Sequence, residues 1–182
     1  MINSSSTESV DKAVKAGAKA ASAPAEIAEN CDRIVTMLPN SPHVMSTFGG
    51  DQGLLSAAKA GTLFLDCSTI DPAAAQTVSS SRVFKQDSMQ ISIQVAKMCL
   101  EKETGLSCNL CLQRLNYFLV FMDAPVSGGV GAAAAGTLTF MVGGPAAEFE
   151  AGQSILQHMG AKIVACGEVG TGQGKNKIKS FF

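Results

Sequence analysis

The chain has 182 residues, of which 46% are hydrophobic, 16% charged and 5% aromatic, and its formal net charge is −1. This composition excludes wholesale disorder, because chains that fail to collapse combine low hydrophobicity with high net charge. The sequence has no stripe of basic residues, so a nucleic-acid partner is not predicted. The longest apolar run, Tyr117–Met122, is far shorter than the roughly 20 residues of a membrane span.

The first thirty residues predict neither a secretory signal nor a mitochondrial transit peptide. Met1–Ser9 is polar and Ser-rich, and the first thirty residues contain no Arg and include several acidic residues. The cysteines are scattered in a way typical of reduced thiols: Cys31, Cys67, Cys99, Cys108, Cys111 and Cys166. Cys108 and Cys111 lack a second ligand pair at zinc spacing, so no metal site is predicted.

Short helical and strand patterns alternate along most of the chain. The predicted strands are Arg33–Leu38, Leu63–Asp66, Val120–Asp123, Leu138–Val142 and Lys162–Cys166. Five helices are predicted. The first ends in the Ala/Lys-rich residues 13–21, and the second, Ala25–Asn30, follows the start signals Ser22 and Pro24. The others are Pro42–Phe48, a helix capped by Asp71 with Pro72 in its first turn, and Ala146–His158, which ends at a left-handed Gly160. This alternation predicts an α/β fold with a mostly parallel sheet and flanking helices.

Residues 79–119 interrupt the alternation. They include a predicted helix, Ser88–Lys102, and separate Pro72 from Met122 by far more than the dozen or so residues that a compact crossover needs. We interpret about 80–119 as an insertion.

A glycine-rich turn after the third predicted strand is the main candidate for a binding site. In Asp123–Gly131 the strand is followed by Ser127, Gly128 and Gly129. Successive glycines allow main-chain N–H groups to approach an anion, and ligands of α/β sheets bind at strand ends. The turn is therefore a candidate cradle for a substrate carboxylate, with an ordinary glycine turn and a surface serine as the alternative.

Two further strand-to-helix turns belong to the same predicted edge. They are Leu38-Pro39-Asn40 and Cys67-Ser68-Thr69, which capping alone would also explain. We interpret Asp66 as a turn cap rather than a catalytic acid. Gly49–Gly53 follows a helix instead of a strand, so its phosphate-binding interpretation is weak. His43 and His158 are interpreted as residues on helix surfaces.

Five segments together resemble 3-hydroxyisobutyrate dehydrogenase, of the β-hydroxyacid dehydrogenase family. They are Ile34–Ser41, Asp66–Pro72, Phe121–Gly131, Gly136–Gly144 and Gly170–Gln173. The resemblance covers Val10 to about Ser79 and Val120–Gln173. The phrase Asp-Ala-Pro-Val-Ser-Gly-Gly is specific for the wider family, and the neighbouring segments favour the hydroxyisobutyrate branch over tartronate semialdehyde reductase.

This resemblance implies a function and a site. The family oxidises 3-hydroxyisobutyrate to methylmalonate semialdehyde in valine breakdown with NAD, and is mitochondrial in eukaryotes. The implied cofactor contacts are Leu38, Pro39 and Thr69, and the implied holders of the substrate carboxylate are Ser127, Gly128 and Gly129. The family also uses a lysine, on the helix after Gly-Thr-Gly-Gln, to take the hydroxyl proton.

Several departures from the family are visible. Asn176 occupies the register of the family lysine, with Lys175 and Lys177 beside it as weak substitutes. The opening strand with its phosphate turn and the helical C-terminal domain have no counterpart. The segment that distinguishes NAD from NADP is among the missing parts.

We therefore expect an incomplete Rossmann-like NAD-binding domain at 10–173, interrupted by the insertion, and a tail at 174–182 unlike the family. The expected partner is a small hydroxy acid, and the family's homo-oligomer is not expected without the C-terminal domain. Alternatives are a non-catalytic α/β fragment or partner-binding pseudoenzyme, a glycerate-type substrate, and a cytoplasmic location, since no transit peptide is visible.

Overall fold

The computed structural model describes residues 1–81 and 119–179, and side chains up to residue 176. The strands are β1 (Arg33–Thr36), β2 (Leu63–Asp66), β3 (Val120–Asp123), β4 (Val126–Ser127), β5 (Leu138–Gly143) and β6 (Gly160–Gly167). The helices are α1 (Thr7–Lys15), α2 (Pro24–Asn30), α3 (Ser41–Phe48), α4 (Leu54–Ala57), α5 (Pro72–Ser79), α6 (Gly129–Ala135), α7 (Phe149–Leu156) and α8 (Thr171–Lys179), with a 3₁₀ turn at Ala146–Glu148.

The strands form one mixed, mostly parallel sheet in the order β1-β2-β3-β5-β4, with β6 paired to β5. β1, β2 and β3 are mutually parallel, as are β5 and β6, whereas β5 runs antiparallel to β3 and β4. The predicted α/β class with flanking helices is confirmed. The antiparallel junction arises because β3 and β5 are connected through the short β4 and α6 rather than through a full crossover.

The core lies on both faces of this sheet. One face carries the register partners Ile34, Phe64 and Phe121, packed beneath α2–α5. The other face carries Leu65 and Met122, packed against residues of α7. Burial on both faces is the usual condition of parallel strands, which explains the fully buried Leu63–Asp66.

Local capping chemistry sets several helix starts. The Asn40 side chain accepts a hydrogen bond from the His43 N–H at 3.2 Å, and the Asp71 side chain accepts one from the Ala73 N–H at 2.9 Å. The predicted cap at Asp71 is therefore confirmed. Ser22 is not a cap: its N–H and hydroxyl both donate to Glu26, each at 2.8 Å.

Three further local predictions were wrong. Ala20 lies outside helix α1, which ends at Lys15, and pairs with Ile2 in a parallel bridge. Gly160 does not end a helix in the left-handed region but begins β6, where a Cβ atom would meet the Phe140 ring at 2.6 Å. β1 ends at Thr36 rather than Leu38, because the chain turns there toward α3.

The predicted insertion and its helix Ser88–Lys102 lie almost entirely outside the described residues, as do Cys108 and Cys111. The proposed boundary at 173/174 falls within α8. In the described part of the chain, no helix combines the length and apolarity needed to cross a membrane.

Candidate active site

The carboxyl ends of the three parallel strands meet at one edge of the sheet. Thr36, Asp66 and Asp123 are register partners in the last positions of β1, β2 and β3, and all three are buried. The turns that follow these strands therefore begin side by side, which is the arrangement expected of a ligand-binding edge.

Asp66 organises the turn after β2. Its Oδ1 accepts hydrogen bonds from the Ser68 hydroxyl at 2.5 Å, the Ser68 N–H at 3.2 Å and the Thr36 hydroxyl at 2.8 Å. Burial raises the pKa of Asp66, and these hydrogen bonds oppose the shift. The interpretation of Asp66 as a turn cap is confirmed.

Ser68 connects this turn to the one after β1. Its hydroxyl oxygen accepts a hydrogen bond from the Leu38 N–H at 2.8 Å, and the Asp71 N–H donates to the Ser41 hydroxyl at 3.1 Å. The structure thus brings the predicted cofactor-contact segments, Leu38-Pro39 and Thr69, onto one connected pair of turns.

Asp123 and Gln173 attach helix α8 to the same edge. The carboxylate of Asp123 accepts hydrogen bonds from the Gly170 N–H at 2.6 Å and the Gln173 N–H at 2.9 Å. The Gln173 amide donates to the Ser68 carbonyl at 2.6 Å and accepts from the Ile70 N–H at 3.1 Å. We call Asp123, Gln173 and the Ser68–Ile70 turn the α8 lock.

Burial raises the pKa of Asp123, and the negative charge of Asp66 adds to the rise, while the hydrogen bonds from the Gly170 and Gln173 N–H groups oppose it. The sequence alone predicted no structural or functional role for Gln173. A single polar side chain directly after the Gly-Thr-Gly turn was the only signal available.

The predicted lysine substitutes do not occupy the site as far as the structure describes it. Asn176 is the residue that faces Thr69, with its Nδ2 donating to the Thr69 hydroxyl at 3.4 Å. Lys175 is exposed, and the side chain of Lys177 lies outside the described part of the chain. A neutral amide therefore occupies the position at which the family resemblance implies a lysine as proton acceptor.

The Ser127–Gly129 turn is exposed and projects beyond this edge. Ser127 pairs with Thr139 of β5, four residues before Gly143, which pairs with Asp123. At roughly 3.3 Å per residue, the turn extends about 13 Å past the strand ends. Among the described residues, no hydrogen bond joins it to Leu38 or Thr69, so its role in the same site stays a prediction.

The backbone of this turn suits close approach by a ligand. Gly128 and Gly129 have φ values of 142° and 68°, which favour glycine. Helix α6 begins there without a side-chain cap and without an acidic residue in its first turn.

The described helix starts along the strand ends do not fit the pyrophosphate of a dinucleotide. Phosphate binding at a helix start needs free N–H groups and no competing negative charge. The first turns of α3 and α5 instead carry the caps Asn40 and Asp71, each with a proline nearby. In α8, the N–H of Gln173 is already taken by Asp123.

Cys67 is not a nucleophile at this edge. Burial and the neighbouring charge of Asp66 raise its pKa to about 12, so the thiol stays protonated near neutral pH. His43 is exposed on α3, as predicted, whereas His158 is exposed in the turn that follows α7 rather than on a helix. The described residues contain no group of metal-ligating side chains, and the absence of a metal site remains a prediction for the chain as a whole.

A doubly wound sheet with connected turns at its carboxyl edge defines the class of dinucleotide-binding α/β domains. Residues 1–91 and 112–167 match the family profile described as the NAD binding domain of 6-phosphogluconate dehydrogenase. The chain belongs to this family, and the match confirms NAD as the predicted cofactor at the level of the family. Residues between the two matched segments fall within the predicted insertion.

Within this family, the chain is similar to proteins named 3-hydroxyisobutyrate dehydrogenase. The chain is 44% identical over 159 residues to the mouse protein named mitochondrial 3-hydroxyisobutyrate dehydrogenase, covering 87% of this chain and 38% of that protein. It is 40% identical over 168 residues to a probable mitochondrial 3-hydroxyisobutyrate dehydrogenase of Dictyostelium discoideum, covering 92% and 42%. The chain thus spans about two fifths of the length of these relatives.

A solved structure of Mycobacterium tuberculosis 3-hydroxyisobutyrate dehydrogenase with L-serine shares the fold. The TM-score is 0.70 at 28% identity, and the match covers 96% of this chain and 48% of the other. The predicted resemblance to 3-hydroxyisobutyrate dehydrogenase is confirmed as a similarity over most of this chain.

Proposed function

We propose that this chain is the NAD-binding part of a 3-hydroxyisobutyrate dehydrogenase, which oxidises 3-hydroxyisobutyrate to methylmalonate semialdehyde in valine breakdown. The observation that carries the proposal is the 44% identity to the mouse enzyme over 87% of this chain. Because the mouse and Dictyostelium relatives are named mitochondrial, we extend the proposal to a mitochondrial location.

The substrate carboxylate is assigned to Ser127, Gly128 and Gly129. The open start of α6, with no cap and no acidic residue, supports this role, because the positive end of a helix stabilises an anion. The Ser127 hydroxyl is exposed and adds a further donor.

The cofactor contacts are assigned to Leu38, Pro39 and Thr69. NAD, when bound, accepts the hydride from the substrate carbon. The α8 lock and the Ser68 hydroxyl would hold Leu38 and Thr69 in place before the cofactor arrives, which reduces the entropy lost on binding.

The proton of the substrate hydroxyl has no described acceptor beside Thr69. The Asn176 amide is neutral and not basic, and a positioned acid or base typically contributes about 10²–10⁴ in rate. Asn176 therefore favours a second candidate function for the isolated chain, a non-catalytic domain that binds ligands or a partner.

The test combines turnover and binding with the purified chain. We expect NADH formation from 3-hydroxyisobutyrate at background level, and a thermal midpoint raised by 3-hydroxyisobutyrate but not by 3-hydroxyisobutyramide, which lacks the carboxylate. Ser127→Ala should reduce the rise in midpoint, whereas Ser154→Ala, an exposed serine on α7, should leave it unchanged.

Three results would change the proposal. Turnover that is lost in Lys175→Ala or Lys177→Ala would identify a displaced proton acceptor and overturn the non-catalytic function. A midpoint that responds equally to both compounds, or to neither, would contradict the assigned carboxylate site. A response to glycerate in place of 3-hydroxyisobutyrate would change the substrate.

A further inference from the structure

Gln173 is a polar side chain of α8 with almost no exposed surface. Its exposed fraction is 1%. The amide nitrogen donates to the Ser68 carbonyl at 2.6 Å, and the amide oxygen accepts from the Ile70 N–H at 3.1 Å. A single side-chain amide therefore uses both its donor and its acceptor on main-chain groups of the turn that follows β2.

These two hydrogen bonds lie on either side of Thr69. Ser68 and Ile70 are buried, whereas Thr69 between them is exposed. In a sheet, a neighbouring strand binds alternate residues in this way, and the residue between them directs its own N–H and C=O away from that strand. Gln173 thus makes the hydrogen bonds to this turn that a strand neighbour would make.

Thr69 keeps its own main-chain groups available. Within residues 1–81 and 119–179, no hydrogen bond uses its N–H or its carbonyl oxygen. Its hydroxyl accepts from the Asn176 amide at 3.4 Å, and Asn176 lies about one turn of α8 after Gln173. Two amides on one face of α8 therefore contact this turn, while Thr69 itself stays open to a ligand.

The other hydrogen bonds of the turn fix its two ends. Asp66 accepts from the N–H and the hydroxyl of Ser68, and the Ser41 hydroxyl accepts from the Asp71 N–H. Neither contact reaches the two main-chain groups that flank the exposed residue. In the described part of the chain, the centre of the turn is held by Gln173.

We propose that Gln173 is a positioning residue, which sets the main-chain conformation of Thr69 for cofactor binding. The proposal rests on the assignment of Thr69 as a cofactor contact and adds a residue that acts on the cofactor only through Thr69. A turn that already has its binding conformation loses less entropy when the ligand binds. Loss of the amide should therefore change Thr69 and weaken binding even where the fold remains.

The first measurement follows main-chain amide shifts and hydrogen exchange in the full chain without ligand. Gln173→Met keeps the approximate size of the side chain and removes both hydrogen bonds. The Thr69 amide shift should change, and the Ile70 amide should exchange about tenfold faster, as expected for the loss of one hydrogen bond.

Gln173→Glu provides a rescue that depends on protonation. An ionised carboxylate accepts from the Ile70 N–H but has no proton for the Ser68 carbonyl, whereas a protonated carboxyl makes both hydrogen bonds. The Thr69 shift should therefore return toward its parent value as the pH falls. The titratable side chains on the elements that meet at this turn include Asp66, Cys67, Asp71, Asp123 and Lys175. The parent contains them too, so its own pH series removes their contribution.

Two control variants separate positioning from stability. Leu156→Ala truncates a fully buried residue of α7 and should lower the thermal midpoint, yet leave the Thr69 shift unchanged. Gln153→Glu makes the same chemical change as Gln173→Glu at an exposed position of α7, and should leave the Thr69 shift unchanged at every pH. Should Gln173→Met fail to fold, the pH series of Gln173→Glu decides.

The second measurement adds NAD⁺. The Thr69 amide of the parent should shift on titration, and Gln173→Met should weaken the affinity about threefold to tenfold. Gln173→Glu should regain affinity as the pH falls. A parent chain in which NAD⁺ shifts neither Leu38 nor Thr69 would contradict the proposed cofactor contacts, and the measurement without ligand would still decide whether Gln173 sets the conformation of Thr69.

Four results would overturn the proposal. They are an unchanged Thr69 shift in Gln173→Met, a Thr69 shift in Gln173→Glu that follows pH only as the parent does, an equal change in Leu156→Ala, or an NAD⁺ affinity that stays the same when the Thr69 shift changes. The last result would leave Gln173 with a purely structural role.

Discussion

The ends of β2 and β3 differ from β1 in how completely they are covered. At β2 and β3 the buried carboxylates and Gln173 pair with main-chain groups of the neighbouring turns and of α8. At β1, one side of the strand faces a cavity, and Val35 is exposed although its register partner Leu65 is buried. The comparison indicates that the proposed site is preorganised on its β2–β3 side and open on its β1 side.

The largest expected effect compares truncation at those two register partners. Leu65→Ala should lower the free energy of unfolding by about 2–5 kcal/mol, because it leaves a cavity in a fully buried position. Val35→Ala should lower it by less than about 1 kcal/mol, since Val35 is already exposed. Urea unfolding of both variants checks the difference, and similar losses would mean that β1 is as well covered as β2.

The next prediction tests the α8 lock. Asp123→Ala leaves the Gly170 and Gln173 N–H groups buried without acceptors, and should lower the free energy of unfolding by about 3 kcal/mol. Asp51→Ala, at an exposed turn, should change it by less than about 0.5 kcal/mol. Equal effects of the two substitutions would show that the lock does not hold α8.

Two glycines in α8 give a smaller contrast. A Cβ atom at Gly172 would meet the Met141 carbonyl oxygen and lie 2.8 Å from Asp123 Oδ2, whereas one at Gly174 meets nothing within 4 Å. Gly172→Ala should therefore lower the thermal midpoint, with a loss of about 1–3 kcal/mol in the free energy of unfolding. Gly174→Ala should raise the thermal midpoint, with a gain of roughly 0.5–1 kcal/mol in the free energy of unfolding, because alanine favours the helix. A neutral Gly172→Ala would indicate that α8 packs less closely than described.

The smallest expected effect is a dependence of stability on pH. Burial raises the pKa of Asp66 in the folded chain above its ordinary value of 3.8. The folded state then binds the proton more tightly than the unfolded state, so this group's contribution to stability is full below that value and is lost as pH rises through the folded pKa.

The check is the difference in free energy of unfolding between the parent chain and Asp66→Asn, measured across that pH range. The parent should lose stability relative to the variant as pH rises. A difference that changes in the opposite direction would mean that the hydrogen bonds from Ser68 and Thr36 outweigh burial.

Local signals in the sequence predicted much of the fold. β2, the Asp71 cap and the Asp66 turn cap depend on residues within a few positions of one another, and capping and apolar runs are readable at that range. The contacts of Gln173 could not be predicted in this way, because its partners Ser68 and Ile70 lie 105 and 103 residues earlier in the chain.

The two wrong predictions about helix ends have a similar cause. Gly160 has the sequence context of a helix end, yet close packing of β5 and β6 decides its conformation. Ala20 continues an Ala/Lys-rich stretch, yet main-chain pairing with Ile2 decides its place. Neither tertiary contact leaves a local signal.

The most direct test of the proposed function follows the main-chain amide shifts of the labelled chain during titration with 3-hydroxyisobutyrate. The account predicts shifts that saturate at Ser127, Gly128 and Gly129, and no such shifts with 3-hydroxyisobutyramide. Shifts confined to the β1 cavity, at Arg33 for example, or an equal response to the uncharged amide, would contradict it.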